Sequence, residues 1–148
     1  MGKLKSPLKL AKEKAWKYFS LYIRLKNADS DGNVKCVTCN VRKSYKEMHA
    51  GHFIDGRNNS VLYDEKLVHP QCFHCNSKMP GCLGGNKVAY TLFMINEKGY
   101  SLEQIEEFQN LYFTSRPMKE YEHKEIEEKY KQKIKELSNV KNQKTISE

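Results

Sequence analysis

The chain has 148 residues, of which 39% are hydrophobic and 30% charged, so it fits one small domain with a modest core. It contains no apolar run of the roughly 18 residues that cross a bilayer. Its basic first residues lack the apolar region of a secretory signal. We therefore expect a cytoplasmic protein without a membrane span.

The net charge of +8 is concentrated near the beginning of the chain. Residues 1–26 carry eight Lys/Arg against one Glu, residues 27–118 balance at ten against ten, and residues 119–148 carry eight against seven. Clustered cations favour a polyanion partner such as a nucleic acid. A helix with a solvated lysine face is an equally good interpretation of the charge alone.

Residues 1–27 are predicted to form a segment with a basic amphipathic helix that packs on the core. Ser6 and Pro7 predict where this helix starts. Its apolar positions recur at helical spacing. The candidates for phosphate contact are Lys9, Lys12, Lys14, Lys17 and Arg24. The stretch NADSDGN that follows predicts a turn rather than a calcium loop, because the later ligands of such a loop are missing.

Beyond this helix the chain divides into three parts. Residues 28–99 contain short strand patterns and the cysteines, and Asn86 predicts a helix cap there. Residues 100–137 form a helical C-terminal extension whose first helix opens on the capping box of Ser101 and Gln104. We predict that residues 138–148 form a disordered tail. The last helix has a narrow apolar stripe that includes Ile126 and Tyr130, which makes a homodimer or a scaffolding contact a hypothesis.

Four of the five cysteines form two Cys-x-x-Cys pairs. The pairs are Cys36–Cys39 and Cys72–Cys75, a spacing that predicts four thiolate ligands for one structural Zn²⁺. Such an ion would clamp the intervening segment as one loop. Cys82 is left over, and the histidines of the segment are not needed as zinc ligands.

The stretches CVTCN, HAGHF, HPQCFHCN and GGNKVAY, together with AWKYFSLYIRL, resemble the NinG (Rap) family of phage recombination proteins over about residues 10 to 137. More broadly the chain looks like a Cys₄-zinc HNH, or His-metal-finger, nuclease. The resemblance implies an α+β fold, with a zinc-stapled ββα-metal core over residues 28–99 flanked by the basic helix and the C-terminal helices. It also implies a structure-selective endonuclease that acts on branched DNA, such as Holliday junctions and D-loops, in the host cytoplasm.

The resemblance also implies roles for individual residues. His52 matches the general base, a task that suits a side chain titrating near neutral pH. Asn76 follows the last zinc cysteine and matches the residue that opens the helix and binds the catalytic Mg²⁺ or Mn²⁺. Arg42, Lys43 and Arg57 are candidates for phosphate contact near this site, or are solvated charges.

The chain departs from that family pattern at Gly51, where an Asp or His usually binds the metal. His49 is the expected substitute, but three residues along a regular strand place His49 and His52 on opposite faces. A bulge at Gly51 would bring them together. Asp55 is the second candidate ligand. The Asn that braces the loop has no clear counterpart, since Asn58 and Asn59 lie in the right loop but Leu67 occupies the expected place.

A non-catalytic, zinc-stapled nucleic-acid-binding adaptor in recombination is the alternative interpretation. It shares the zinc site and the basic helix, and Gly51 favours it. In that case Asn76 is a helix cap. His69 is interpreted as a core histidine or as a group that supports the site.

Overall fold

A computed structural model of the chain describes residues 2–56 and 58–146. It has a mixed α+β architecture, which confirms the predicted class. The elements in chain order are α1 (Pro7–Lys26), β1 (Asn33–Lys35), β2 (Arg42–Ser44), β3 (His49–His52), β4 (Val68–Gln71), α2 (Phe73–Asn76), α3 (Lys87–Asn96), α4 (Leu102–Asn110), a 3-10 turn (Leu111–Phe113) and α5 (Glu120–Ile146).

The strands form two separate antiparallel hairpins. β1 pairs with β2, and β3 pairs with β4 from His49 opposite Gln71 to His52 opposite Val68. Three hydrophobic clusters surround these hairpins: one between the β3–β4 hairpin, α3 and α4, one between α1, α5 and the β3–β4 hairpin, and one around the cysteines. The β3–β4 hairpin therefore lies at the centre of the molecule, and both of its faces are packed.

Helix α1 begins as the sequence predicts. The Ser6 side chain accepts a hydrogen bond from the backbone N–H of Lys9 at 3.2 Å, and Pro7 occupies the first turn. The buried face is formed by Ala11, Ala15, Phe19 and Ile23. This face packs against α5 and the β3–β4 hairpin. The predicted capping box of Ser101 and Gln104 is also present at the start of α4.

Helix α5 continues to Ile146, well past the predicted helix end at Leu137. The prediction of a disordered tail over residues 138–148 is therefore wrong for residues 138–146, and residues 147–148 lie outside the described part. The segment contains no Gly or Pro to end the helix. It also runs along α1, where Lys141 Nζ lies 3.5 Å from the carbonyl oxygen of Leu25.

The apolar stripe of α5 packs within the same chain. The ring of Tyr130 meets the ring of Phe19 edge to face at 4.9 Å and that of Tyr22 at 5.2 Å, and Ile126 joins the same cluster. These are residues on which the homodimer hypothesis rested, so their burial has an intramolecular explanation. None of the helices in the described part of the chain combines the length and the apolar character that a membrane span requires.

Glu65, in the loop between β3 and β4, connects α1 to α5. Its carboxylate accepts hydrogen bonds from Lys133 Nζ at 2.7 Å, Tyr130 Oη at 3.0 Å and Lys26 Nζ at 3.3 Å. Burial raises the pKa of Glu65, but the hydrogen bonds from Lys133, Tyr130 and Lys26 outweigh it and hold the pKa below its ordinary value. The ionised carboxylate therefore stabilises the packing of the two long helices.

We expect Glu65→Gln to lower the free energy of unfolding by about 1 kcal/mol at neutral pH, because a half-exposed charge network contributes at the upper end of the range for surface pairs. Since the folded pKa is lowered, this contribution is present above the unfolded pKa of Glu. It is lost as the pH falls through the folded pKa, where both proteins carry a neutral side chain. Urea denaturation of both proteins across this pH range measures the difference.

The matched control is Glu128→Gln, which removes an exposed partner of Lys131 on α5. It should leave stability nearly unchanged. Equal effects of the two substitutions, or an effect of Glu65→Gln that does not change with pH, would contradict the role assigned to Glu65.

Candidate functional site

The four predicted zinc cysteines converge at one point. Their Sγ atoms all lie within 4.8 Å of one another, and those of Cys39 and Cys72 are 3.7 Å apart. Tetrahedral zinc with Zn–S bonds of about 2.3 Å requires sulfurs about 3.8 Å apart. The cluster could therefore hold a metal such as zinc. Within residues 2–56 and 58–146 it is the only group of three or more His, Cys, Asp or Glu side chains so arranged.

The thiols of this cluster have strongly perturbed protonation. Burial raises the pKa of Cys36, but hydrogen bonds from Thr38 and from backbone amides outweigh it and lower the pKa to about 6. Burial and the neighbouring sulfurs raise the pKa of Cys39 to about 12. The thiolate of Cys36 thus forms readily while Cys39 and Cys72 resist ionisation, and a bound cation would relieve that repulsion.

Asn86 also contributes to the cluster. It precedes α3 as predicted, but its backbone is left-handed (φ 49°) and its side chain makes no capping hydrogen bond. Its Nδ2 instead donates to Cys75 Sγ at 3.5 Å. The prediction of a side-chain cap is therefore wrong, because the carboxamide bonds to a sulfur of the cluster.

Next to the cluster is a cavity of about 340 Å³, here called the histidine cavity. It is lined by Trp16, Ser20, Arg24, Met48, His49, Ala50, His52 and Asn76. Four residues that the sequence nominates for the site, His49, His52, Asn76 and Arg24, are thus brought together. Helix α1 supplies one wall, and the β3–β4 hairpin and α2 supply the other.

The ring of His52 is held on two sides. Its Nε2 lies 3.2 Å from the carbonyl oxygen of Leu62, and its ring stacks on Trp16 with centroids 5.1 Å apart and planes 19° apart. A carbonyl can only accept, so Nε2 carries a hydrogen in this contact. In the neutral imidazole, Nδ1 is then the basic nitrogen.

His49 bonds to Asn76 across the histidine cavity. Asn76 Nδ2 is 3.3 Å from His49 Nδ1, and the imidazole meets Phe73 edge to face at 5.7 Å. Burial lowers the pKa of His49, and the positive charge of Arg24 lowers it further. The imidazole of His49 is therefore neutral at physiological pH, which is the form that binds metal ions.

The expected bulge at Gly51 is absent, because β3 and β4 pair without interruption across residues 49–52. In such a strand His49 and His52 lie on opposite faces. Their contacts agree, since His49 meets α2 and His52 meets α1. The cavity reaches both side chains without a bulge.

The absence of a side chain at residue 51 has a steric explanation. A Cβ atom at this position would overlap Oε1 of Gln71 and would lie 3.0 Å from Oδ1 of Asn76. The space that a ligand side chain at residue 51 would need is thus filled by two carboxamides. The glycine is required by close packing rather than by an unusual backbone angle.

Gln71 connects the cysteine cluster to the histidine strand. Its Nε2 donates to Thr38 Oγ1 at 3.1 Å and to the carbonyl oxygen of Gly85 at 2.8 Å, which fixes the orientation of the amide. Thr38 lies between two of the cysteines. Oε1 faces Gly51 and is buried without a hydrogen-bond partner among the described residues. The cluster and the histidine cavity therefore share one rigid side chain.

His69 is a core residue. Tyr90 Oη donates to the carbonyl oxygen of Gly51 at 2.7 Å, so the ring N–H of His69 donates to Tyr90 Oη at 3.0 Å. Burial, aided by the charges of Lys98 and Lys26, lowers the pKa of His69 to about 3. The neutral imidazole supports the backbone of Gly51 indirectly, through the hydroxyl of Tyr90.

Some predicted residues depart from their expected positions, either within the histidine cavity or outside it. Asn76 is the last residue of the four-residue helix α2, so the expectation that it opens a helix is wrong, because the helix begins directly after Cys72. Asp55 pairs with Lys87 at 3.1 Å and lines a different cavity. Leu67 is a buried core residue, whereas Asn58 donates to the carbonyl oxygens of Leu111 and Tyr112 and so braces the loop.

The predicted DNA-contact residues fall into separate groups. Arg42 pairs with Asp29 at 2.7 Å, and Lys43 is exposed on β2. Lys14 and Lys17 are exposed on α1 outside the histidine cavity. Arg57 lies outside the described residues. Only Arg24 lines the histidine cavity, and Lys9 and Lys12 line the cavity beside it.

The sequence did not identify Trp16, Ser20 and Gln71 as parts of the site. Trp16 and Ser20 precede Arg24 at four-residue intervals, which places all three on one face of α1. This spacing was the available signal for a functional face of the helix. Gln71 gave no comparable signal, because its role depends on the pairing of β3 with β4.

The fold and the site define a small α+β protein in which a four-cysteine cluster lies beside a histidine-lined cavity. The family model described as "NinG: Bacteriophage Lambda NinG protein" matches residues 2–141. The chain therefore belongs to the NinG family of bacteriophage proteins.

Two similar proteins support this assignment. Each is named "Protein ninG", one from Escherichia phage 933W and one from Enterobacteria phage VT2-Sa. Each is 30% identical to this chain over 112 residues, which cover 75% of the chain and 52% of the relative. The chain thus spans about half the length of these curated relatives. No solved structure matches the chain.

We expect Cys72→Ser to abolish stoichiometric zinc binding and to lower the melting temperature sharply, because a structural site that loses one thiolate loses much of its folding free energy. The matched control is Cys82→Ser, since Cys82 is half-buried and lies outside the cluster. Zinc content by mass spectrometry and thermal unfolding test both variants. Full zinc content in the Cys72 variant would contradict the assignment.

We expect Gly51→Ala to destabilise the chain by about 1–3 kcal/mol, the usual cost of overpacking, because the methyl group displaces the Gln71 carboxamide. In a Gln71→Ala background the same change should cost less, because the overlapping atom is gone. Denaturant unfolding of the two single variants and the double variant measures the coupling. Additive effects would show that Gln71 does not exclude side chains at residue 51.

Proposed function

We propose that this chain is a metal-dependent, structure-selective endonuclease of the HNH type that hydrolyses phosphodiesters in branched DNA. The observation that supports this proposal is the arrangement of His49, His52, Asn76 and Arg24 around one open cavity. A candidate base, candidate metal ligands and a candidate phosphate-binding group thus line the same cavity, to which His49 and His52 contribute from opposite faces of β3.

In this proposal His52 is the general base. Its Nε2 is held by Leu62 and its ring plane by Trp16, so Nδ1 is the nitrogen that takes a proton. The proton comes from a water molecule whose oxygen attacks phosphorus, and the bond from phosphorus to the leaving oxygen breaks. A neutral imidazole suits this step near neutral pH.

Arg24 is the candidate phosphate clamp. Two of its five N–H groups donate to the carbonyl oxygens of Ser20 at 3.1 Å and Tyr45 at 2.8 Å. These contacts fix the guanidinium at the cavity wall, and no carboxylate of the described residues forms a salt bridge with it. The remaining donors can bind a non-bridging phosphate oxygen, as arginine commonly does.

His49 and Asn76 would hold a divalent cation, with the DNA phosphate supplying further oxygens. When bound, such an ion neutralises charge on the phosphate and on the leaving oxygen. No carboxylate lines the described wall of this cavity, and one of the two donors is an imidazole nitrogen. This donor set fits Mn²⁺ better than Mg²⁺, which prefers an octahedron of oxygens.

The substrate class of the proposal, Holliday junctions or D-loops, follows from the resemblance to phage recombination proteins. The position of α1 supports a DNA substrate in general terms. Its residues Trp16, Ser20 and Arg24 line the histidine cavity, and the neighbouring turns carry Lys9 and Lys12. A DNA strand on the basic face of α1 thus reaches the cavity directly.

The second candidate function is a zinc-stapled nucleic-acid-binding adaptor without catalysis. The specific observation in its favour is the donor set, because Gly51 supplies no ligand and the described cavity wall contains no carboxylate. Arg24 and the lysines of α1 would serve both functions equally. DNA cleavage that depends on a divalent metal would distinguish the endonuclease from the adaptor.

We expect His52→Ala to reduce cleavage of a labelled four-way junction by at least about 10²-fold, the lower range for loss of a general base, while zinc content and secondary structure stay unchanged. His74→Ala is the matched control, because His74 is exposed on α2 and does not line the histidine cavity. Cleavage is measured with Mn²⁺ and with Mg²⁺, and Mn²⁺ should support the faster reaction.

Undiminished cleavage by the His52 variant would remove His52 as the base. A wild-type protein that binds the junction but cuts no branched DNA with either metal would favour the adaptor. Equal losses in the His52 and His74 variants would indicate a general effect on the fold.

A further inference from the structure

We propose that a groove leads away from the histidine cavity and binds a single DNA strand, with Tyr112 and Phe113 as a platform on which bases stack. The inference rests on the proposed function in one respect, because it takes this strand to be the one that reaches His52. Its stacking platform is formed by two residues that the sequence did not nominate for DNA contact.

The groove is formed by three adjoining cavities. Trp16 lines both the histidine cavity and a second cavity of about 520 Å³ that also contains Lys9 and Lys12. Gly56 lines both this second cavity and a third one of about 660 Å³. The third cavity contains Tyr112 and Phe113. We call the whole path the strand groove.

The two aromatic rings at the far end are unusually accessible. Phe113 is 79% exposed and Tyr112 49% exposed, and their rings are nearly perpendicular with centroids 5.1 Å apart. Exposure of such an aromatic pair to water is energetically unfavourable, so a partner that covers the rings gains the free energy of burying their apolar surface. A nucleobase is a partner that stacks on exposed rings of this kind.

The platform is held in place rather than loosely attached. The ring of Tyr112 lies over Gly56, where a Cβ atom would approach it to 3.4 Å. Asn58 Nδ2 donates to the carbonyl oxygens of Leu111 and Tyr112 at 3.2 Å. The hydroxyl of Ser60 donates to the carbonyl oxygen of Thr114 at 2.9 Å. Fixed rings lose little entropy when a base stacks on them.

The charges along the groove favour a polyanion. Its cationic side chains are Arg24, Lys9, Lys12, Lys78 and Lys87. Its carboxylates are Glu13, Asp55 and Glu106. The pair of Lys87 and Asp55 at 3.1 Å cancels, so the other four cations face Glu106 and Glu13, which is itself paired with Lys5 at 2.9 Å. Cations that follow a backbone, combined with aromatic rings for the bases, are the features of sites for single-stranded nucleic acid. A peptide partner would not need the cations.

The experiment measures binding of the 148-residue chain, loaded with zinc and without added Mg²⁺ or Mn²⁺. Fluorescence anisotropy compares three labelled DNAs: a forked duplex with a single-stranded arm, a single strand, and a blunt duplex. We expect Phe113→Ala to weaken binding to the fork and the single strand by about tenfold and to leave the blunt duplex unchanged. Phe113→Trp should restore binding, because it also presents a stacking surface.

The matched control is Tyr121→Ala, since Tyr121 is 57% exposed on α5 and does not line the groove. It should bind all three DNAs as the wild type does. The assay contains no added Mg²⁺ or Mn²⁺ and reports binding alone, which separates this test from the test of catalysis.

Equal affinity of the wild type and Phe113→Ala for the fork would overturn the proposal, and so would an equal loss on the blunt duplex. Absence of binding to all three DNAs would also overturn it and would leave the aromatic pair to a protein partner. A wild type that shows the predicted binding pattern but never cleaves supports the groove and contradicts the nuclease proposal alone.

Discussion

Convergence of the four cysteine sulfurs is the constraint on which the rest of the site depends. Thiols at these separations, three of them buried, cannot all ionise without a cation, and the opposed pKa shifts of Cys36 and Cys39 reflect that conflict. A metal ion bound there would join the turn after β1 to the start of α2. Through Thr38 and Gln71 the same cluster reaches Gly51, so the positions of both cavity histidines depend on it indirectly.

The second constraint is the packing of α1 against the centre of the molecule. One face of this helix is buried against α5 through Phe19 and Ile23. A neighbouring face presents Trp16 and Arg24 to the histidine cavity. The helix that the sequence singles out for its basic residues therefore also forms a wall of the histidine cavity. Glu65 stabilises this arrangement, because it bonds to residues of both α1 and α5.

Sequence patterns predicted the features that depend on local chemistry. Cap residues fixed the start of α1, and the paired Cys-x-x-Cys motifs identified the cluster. The α+β class and the family followed from motifs as well. Features that depend on long-range contacts were missed. The length of α5 is favoured by its packing along α1, and the space at Gly51 is filled by a residue of the opposite strand. Neither contact leaves a periodic signal in the sequence.

Because the carboxamide of Gln71 fills the space next to Gly51, substitutions at this site have to occur in a particular order. A side chain with an acidic group at residue 51 would bring the carboxylate that the cavity lacks, yet it cannot enter while Gln71 occupies that volume. A smaller residue at 71 must come first, at the cost of the tie to Thr38 and Gly85. Neither substitution alone improves the cavity as a metal site. The effects of substitutions at residues 51 and 71 therefore depend on each other. Redesign of this cavity toward a carboxylate-rich site therefore has to begin at residue 71, on the neighbouring strand.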